Sequence, residues 1–193
     1  LPLLPSKNLQ IFAYIVCNLG FTLLILIAAH RVLKFSWQSI GLTKPKVSSL
    51  LLVPPAFVIY FLLSALFTFL ATRYIPGFNL EQVQDVGFKN LQNQADVLVG
   101  FISLVILTPI FEEILFRGML FNGIRRRFSF WVAAIASSLL FAIAHMQWNV
   151  AIDTFALGLL LCYLTEKSGS VVPGILLHSL KNCLAFLLLF ILN

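Results

Sequence analysis

The sequence has little charge for its length. Only 10% of its 193 residues are charged, and just seven are acidic, whereas about a quarter of the residues in a soluble domain are charged. Hydrophobic residues make up 60% of the chain, and 19 of them are Phe. This composition excludes an ordinary soluble domain and predicts a membrane protein.

Basic residues and cysteines are also few, and each scarcity excludes a class of protein. The net charge is +6, but the Lys and Arg residues are dispersed between apolar runs. That distribution argues against a nucleic-acid partner and fits charges that orient membrane helices. The three cysteines lie in apolar runs without paired spacing, so we expect buried free thiols and no disulfide framework: Cys17, Cys162 and Cys183.

Long apolar runs predict six membrane helices in a lipid bilayer. A spanning helix needs about 20 mostly apolar residues. The first run is too long for the apolar region of a signal peptide, so a spanning helix is favoured there. The fourth and fifth helices, at about 16 residues each, are short for spanning and fit a bundle interior. The predicted helices are 9–29, 49–71, 94–121, 129–145, 149–164 and a last one from near 173 to 192.

The predicted fold is therefore an all-α, polytopic membrane helix bundle of about six transmembrane helices. We divide it into residues 1–96, with two helices and a polar loop, and residues 97–193, a four-helix core that carries the candidate site. The loop 74–96 holds Glu81, Asp85, Lys89 and Asp96. Basic residues concentrate in the loops after the first, third and fifth helices. The positive-inside rule then puts those loops in the cytoplasm and both termini outside.

Two adjacent carboxylates, Glu112 and Glu113, lie late in the third apolar run. An ionisable residue inside a membrane segment is a functional-site hypothesis by default. Glu113 and Arg117 are four apart, so they share a helix face and can form an ion pair. Glu112 lies about 100° around the helix and lacks that partner, which leaves it for chemistry. Pro109 is expected to kink the helix and free a carbonyl that neighbouring groups must satisfy.

Other polar residues lie in the last helices. His145 closes the fourth helix, and His178 and Asn182 are four apart on one face of the sixth. A lone membrane histidine is more often hydrogen-bonded to a neighbouring helix than reactive. Two imidazoles, an amide and the Glu112 carboxylate together, however, are suited to polarising water.

Two mechanisms fit this set of residues. In the first, Glu112 is a general base and His145 helps hold the water. His178 and Asn182 then donate hydrogen bonds to the oxyanion of a tetrahedral intermediate. In the second, Zn²⁺ is bound with water in the open coordination position by Glu112, His145 and His178. The His-Glu-x-x-His motif of zinc proteases is absent from the sequence, and the residues alone do not choose between the two.

Three motifs occur in order on the third, fourth and sixth predicted helices: Glu112-Glu113…Arg117-Gly118, Phe141…His145 and His178…Asn182. This trio resembles the CPBP family, the CAAX prenyl endopeptidases and bacteriocin-processing proteins also called the abortive-infection family. The resemblance covers about residues 97–190. It implies an all-α intramembrane endopeptidase, and it leaves metal dependence open. It also implies water activation by Glu112 and His145, oxyanion or water positioning by His178 and Asn182, and support by Glu113 and Arg117.

The favoured hypothesis is an intramembrane protease in the cytoplasmic membrane of a prokaryote, with its site open to the cytoplasm. Its substrate would be a membrane-anchored peptide or protein, prenylated in one branch of the family. Two alternatives remain: a non-proteolytic immunity or scaffold protein of the same fold, and an ion-coupled transporter using buried Glu and His. The lack of an internal repeat argues against the transporter. Lys181 departs from the family, where a neutral residue is usual.

Overall fold

The computed structural model describes residues 7–31, 34, 36–80, 82 and 94–192. These residues form six helices and no strand, which confirms the prediction of an all-α bundle. The predicted loop residues Glu81, Asp85 and Lys89 lie outside the described residues. The loop prediction was wrong for Asp96, which is buried in the first turn of a helix. The helices are α1 (Lys7–Arg31), α2 (Val47–Tyr74), α3 (Gln94–Arg125), α4 (Phe130–Ile143), α5 (Trp148–Ser168) and α6 (Val172–Phe190).

Four of the described helices, α2, α3, α5 and α6, are long and apolar enough to cross a membrane. α4 is apolar but has only 14 residues. The prediction that α5 is short was wrong, because the helix has 21 residues. Its apolar run ends near Leu164, but the polar residues that follow continue the helix to Ser168. Gly169 then ends it with a φ of +65°, a conformation that costs glycine little.

Prolines and a serine mark the predicted helix starts. The first turn of α2, Val47–Leu50, precedes a regular helix from Val53. Prolines occupy the first positions of that helix and of α6, where a missing N–H is tolerated. Ser129 precedes α4 in an extended conformation, as an N-cap residue should, but its side chain makes no capping hydrogen bond. The start of α4 is therefore confirmed at this residue, and its predicted side-chain cap is not.

α3 changes its hydrogen-bond register twice. Its segments Ile102–Leu107 and Ile114–Phe121 are π-helical, and the α-helical turn Thr108–Glu113 lies between them. At Pro109 the structure thus shows a disturbed hydrogen-bond register, with a π segment on each side of one α-helical turn, and the kink itself stays a prediction. That turn carries Glu112 and Glu113. π segments inside α-helices occur frequently at functional sites.

α5 is the central helix, because it packs against α2, α4 and α6. Large apolar side chains on the outer faces of α2 and α4 remain exposed, as expected for surfaces that meet lipid: Leu62, Phe69, Trp131 and Leu139. The free cysteines are only partly as expected, since Cys162 is buried but Cys17 is exposed. Two buried clusters hold the bundle, one between α2, α5 and α6 (Val53, Ala56, Tyr60, Leu157, Leu161, Leu164, Leu177) and one between α3, α4 and α5 (Phe121, Ala133, Ala134, Cys162).

Candidate active site

The ion pair predicted on α3 is present and fully buried. Arg117 Nη1 donates to Glu113 Oε1 at 3.1 Å, and neither side chain is exposed at all. The Arg117 guanidinium also lies 4.3 Å from the centre of the Phe141 ring, a favourable cation–π distance. Glu113 Oε2 and Arg117 Nε and Nη2 have no hydrogen-bond partner among the described residues. The pair is therefore enclosed but incompletely satisfied, which is costly inside a protein.

His178 of α6 joins this pair. Its Nδ1 lies 3.0 Å from Glu113 Oε1, and its side chain is 3% exposed. Because a carboxylate accepts, we assign the proton of the neutral imidazole to Nδ1. The sequence spacing predicts Arg117 as the partner of Glu113 and no contact with His178. The structure adds a second contact, by which Glu113 orients the imidazole and fixes its tautomer.

Glu112 faces the other side of the same imidazole. Its Oε2 lies 3.6 Å from His178 Nε2, and its side chain is 26% exposed. A distance of 3.6 Å is too long for a direct hydrogen bond, but a water molecule beside both atoms can bond to each of them. His178 thus lies between two carboxylates, one buried and one accessible. We call Glu112, Glu113, Arg117 and His178 the reaction cluster.

His145 lies one aromatic ring away from the reaction cluster. Its Nδ1 donates to the Phe141 carbonyl oxygen at 2.9 Å, and its ring is perpendicular to the Phe141 ring at 4.9 Å. The Phe141 ring also contacts His178, at 5.8 Å between ring centres. The structure therefore brings His145 to the cluster through Phe141, and its remaining nitrogen, Nε2, is the one open to chemistry.

Asn182 is directed to another part of α3. Its Nδ2 donates to the Leu104 carbonyl oxygen at 2.9 Å. Leu104 precedes Glu112 by eight residues, or about 12 Å along a helix. Asn182 was predicted to donate to the oxyanion. In the structure, its amide instead contacts the backbone two turns away from the reaction cluster.

The expected zinc ligands do not fit a metal in this arrangement. Among the described residues, no three His, Cys, Asp or Glu side chains are grouped closely enough to hold a metal ion. The Nδ1 atoms of both imidazoles are engaged, by Glu113 and by the Phe141 carbonyl. The Phe141 ring contacts both histidines and separates them. A site made of Glu112, His145 and His178 would need His145 to move.

Lys181, the departure from the family pattern, has a partner on α5. Its Nζ lies 3.3 Å from Asp153 Oδ2. Asp153 Oδ1 accepts hydrogen bonds from Tyr60 at 2.7 Å and Ser64 at 2.6 Å, both on α2. These four residues connect three helices, and we call them the tether cluster. No motif in the sequence pointed to Asp153. The available signal was its negative charge within the fifth helix, opposite in sign to the unexplained lysine of the sixth.

Two glycines allow the neighbouring backbones to approach the buried ion pair. A Cβ at Gly174 of α6 would lie 3.2 Å from Glu113 Oε2. A Cβ at Gly158 of α5 would lie 2.8 Å from the Ser138 side chain and 3.1 Å from Arg117 Nη2. Small residues at helix interfaces permit this approach in membrane bundles. The backbones of α5 and α6 thus help to exclude bulk solvent from the ion pair.

The fold and site together define a class: a polytopic helical membrane protein with a histidine held between two carboxylates of a neighbouring helix. The family follows from sequence comparison. Residues 94–184 match the sequence model of the family described as "Type II CAAX prenyl endopeptidase Rce1-like". The match contains the whole reaction cluster, with His145 and Asn182, and it confirms the resemblance drawn from the motifs. This part of the chain is thus similar in sequence to a family of membrane endopeptidases.

Three bacterial relatives match part of the chain. An Escherichia coli protein named "Uncharacterized 24.3 kDa protein" is 34% identical over 97 residues, 48% of this chain and 45% of the relative. The Lactococcus lactis "UPF0177 protein YxdF" is 27% identical over 133 residues, 64% of this chain and 73% of the relative. The Bacillus subtilis "Putative membrane peptidase YdiL" is 26% identical over 98 residues, 49% and 40% respectively. The chain thus spans less than half the length of two of these relatives. No solved structure matches.

Proposed function

We propose that this protein is an intramembrane endopeptidase that hydrolyses a peptide bond of a membrane-anchored substrate with water activated by Glu112. One observation carries the proposal: buried Glu113 holds His178 by Nδ1, and Nε2 of the same ring lies 3.6 Å from the accessible Glu112. A carboxylate and an oriented imidazole side by side can bind and polarise one water. The family match of residues 94–184 supports a peptide bond as the target.

The proposed reaction begins with a water hydrogen-bonded to Glu112 Oε2 and His178 Nε2. Glu112 takes a proton from this water while its oxygen attacks the carbonyl carbon of the scissile bond. The carbonyl oxygen becomes the oxyanion of a tetrahedral intermediate. Glu112 then gives the proton to the leaving nitrogen, the C–N bond breaks, and the carboxylate is restored for another cycle.

The other residues prepare this step. Arg117 balances the negative charge of Glu113, which accepts from His178 Nδ1 through the same oxygen. With its proton on Nδ1, His178 accepts a hydrogen bond from the water at Nε2 and so helps to hold it beside Glu112. His145 Nε2 is proposed to hold the water from the side of Phe141. Phe141 itself contacts Arg117 and both histidines, and so fixes their spacing.

The proposed substrate is a membrane-anchored peptide or protein, with prenylated CAAX-type proteins as one class to test. Apolar helices long enough to span a membrane surround the site, so the substrate reaches it from within or beside the bilayer. We place the protein in the cytoplasmic membrane of a prokaryote, in keeping with its three bacterial relatives. The basic loop 125–127 at the end of α3 then marks the cytoplasmic side.

The test is cleavage of membrane-anchored peptides, with and without a prenyl group, by the protein in lipid nanodiscs. Products are identified by mass spectrometry. Glu112→Gln keeps the shape of the side chain but removes the base, so cleavage should fall by about 100-fold to 10,000-fold. The matched control is Glu166→Gln, since Glu166 pairs with Arg125 at the surface. This variant should cleave at the wild-type rate.

Three results would contradict the proposal. Glu112→Gln that still cleaves at the wild-type rate would remove Glu112 from the chemistry. Loss of cleavage with 1,10-phenanthroline, restored by Zn²⁺, would favour the metal mechanism. Folded wild-type protein that cleaves none of the peptides, prenylated or not, would favour the scaffold or transporter.

A further inference from the structure

The backbone of α3 loses a hydrogen-bond donor just before the reaction cluster. In the π segment Ile102–Leu107, each N–H binds the carbonyl five residues earlier, and the N–H of Thr108 still follows this rule by binding the carbonyl of Ser103. The next bond in the same register would run from residue 109 to Leu104. Residue 109 is proline, which has no N–H. The π segment therefore stops at this point, and Leu104 lacks its backbone donor in that register.

Asn182 supplies a donor to this carbonyl. Its Nδ2 lies 2.9 Å from the Leu104 oxygen, within the ordinary range for an N–H···O bond. The Leu104 carbonyl belongs to an apolar helix of a membrane bundle, where an unsatisfied backbone group is strongly disfavoured. The side-chain amide of α6 therefore does what a backbone N–H at position 109 would otherwise do.

His178 lies one turn before Asn182 on α6. His178 and Asn182 are four apart, and they contact α3 at Glu112–Glu113 and at Leu104 respectively. Pro109 lies between those two points of contact on α3. The imidazole therefore joins α6 to α3 after Pro109, at Glu113, and the amide joins the two helices before it, at Leu104.

We propose that Asn182 is a positioning residue, whose amide replaces the missing N–H of Pro109 and holds the Glu112–Glu113 turn against His178. In this role it acts through the α3 backbone and needs no contact with the substrate. Its effect on activity rests on the proposed function. Its effect on the α3 backbone does not.

The experiment compares Asn182→Leu, Pro109→Ala and the double variant. Asn182→Leu leaves Leu104 without its donor, and a displacement of Glu112 by about 1 Å should lower kcat about 100-fold. Pro109→Ala restores a backbone N–H. In the π register this N–H binds the Leu104 carbonyl; in the α register it binds Val105, and the N–H of Thr108 becomes the donor to Leu104. The double variant should therefore regain most of the lost activity. An amide that donated to the oxyanion would not be replaced by a change at Pro109.

A second measurement is independent of activity. Hydrogen exchange of the α3 amides between 110 and 114 should become faster in Asn182→Leu and return to the wild-type rate in the double variant. The control pairs Asn182→Leu with Pro173→Ala. Pro173 is at the start of α6, where its missing N–H is not needed, so this change should rescue neither exchange nor kcat.

The outcomes separate the two proposals. Rescue of exchange by Pro109→Ala supports the positioning role even if the wild-type protein cleaves no peptide, because that result would count against the proposed function alone. Exchange in the double variant that stays at the Asn182→Leu level overturns the positioning role. If Asn182→Leu gives too little folded protein, its folded yield is compared with that of the double variant instead. A higher yield in the double variant supports the role, and an equal yield overturns it.

Discussion

The bundle contains two polar clusters that differ in how fully their carboxylates are satisfied. The reaction cluster joins α3 to α6, and the tether cluster joins α2, α5 and α6. Both use the same turn of α6, since His178 and Lys181 are three residues apart. Each cluster places an acidic residue within contact distance of a basic one in an apolar environment.

In the tether cluster, both oxygens of Asp153 are used. Oδ1 accepts from two hydroxyl groups and Oδ2 faces Lys181. In the reaction cluster, both partners of Glu113 use Oε1, and Oε2 has no partner among the described residues. Glu112 stands 3.6 Å from His178 and is accessible. A satisfied carboxylate connects helices, whereas one held just beyond hydrogen-bond range of an oriented imidazole can take a proton from water.

Removing the cation of the reaction cluster should have the largest effect on stability. Arg117→Leu leaves the Glu113 carboxylate buried without its countercharge, so the free energy of unfolding should fall by about 3–5 kcal/mol. The measurement is denaturant unfolding in detergent micelles, followed by tryptophan fluorescence. The matched control is Arg125→Leu, which removes a partly exposed pair with Glu166 and should cost at most about 1 kcal/mol.

Equal losses of unfolding free energy in Arg117→Leu and Arg125→Leu would contradict this prediction. They would mean that the buried pair stabilises the bundle no more than a surface pair does. The role of Glu113 as the fixed support of His178 would then lose its physical basis.

The sequence was sufficient for the parts of this site that are local. Apolar runs predict the helices because each must bury its backbone groups in hydrocarbon. The spacing of four residues predicts the Glu113–Arg117 pair because both side chains lie on one helix face. The separate environment of Glu112 follows from the same geometry. The bounds of α5 were missed because polar residues after Leu164 end an apolar run without ending a helix.

Contacts between helices could not be predicted in this way. The bond from Glu113 to His178 joins residues 65 positions apart, and no periodic pattern reports which faces of two helices meet. One carbonyl in each π segment of α3 accepts a side-chain hydrogen bond from another helix, Leu104 from Asn182 and Phe116 from Ser137. Pro109 alone therefore signals a disturbance without giving its form. The pair Asp153–Lys181 was within reach of a simpler rule, since opposite charges left over in two apolar helices tend to be partners.

Filling the space beside the buried ion pair should have an intermediate effect. Gly158→Ala places a methyl group 2.8 Å from Ser138 and 3.1 Å from Arg117 Nη2, so α4 and α5 must separate. Overpacking of this kind costs about 1–3 kcal/mol. The control is Gly123→Ala, because a Cβ there meets nothing within 4 Å. The thermal unfolding temperature should be lower for the first variant and unchanged or higher for the second. A neutral Gly158→Ala would show that the enclosure of Arg117 is loose.

The smallest effect is expected in the tether cluster. Lys181 and Asp153 are 20% and 24% exposed, and Asp153 keeps two hydroxyl donors when the lysine is removed. A double-mutant cycle with Lys181→Met and Asp153→Asn should therefore give a coupling free energy of only about 1 kcal/mol. The measurement is again unfolding in micelles, with kcat determined on the same samples.

The kcat values of these variants test whether the tether cluster influences the reaction cluster. If the tether cluster only connects helices, kcat per folded molecule stays at the wild-type level in all three variants, because His178 is held by Glu113 and not by Lys181. A fall of kcat about tenfold or more, without a matching loss of stability, would show that Lys181 sets the rotation of α6 and with it the place of His178. The two clusters would then act as one site, and the distinction between a connecting and a reacting carboxylate would fail for Asp153.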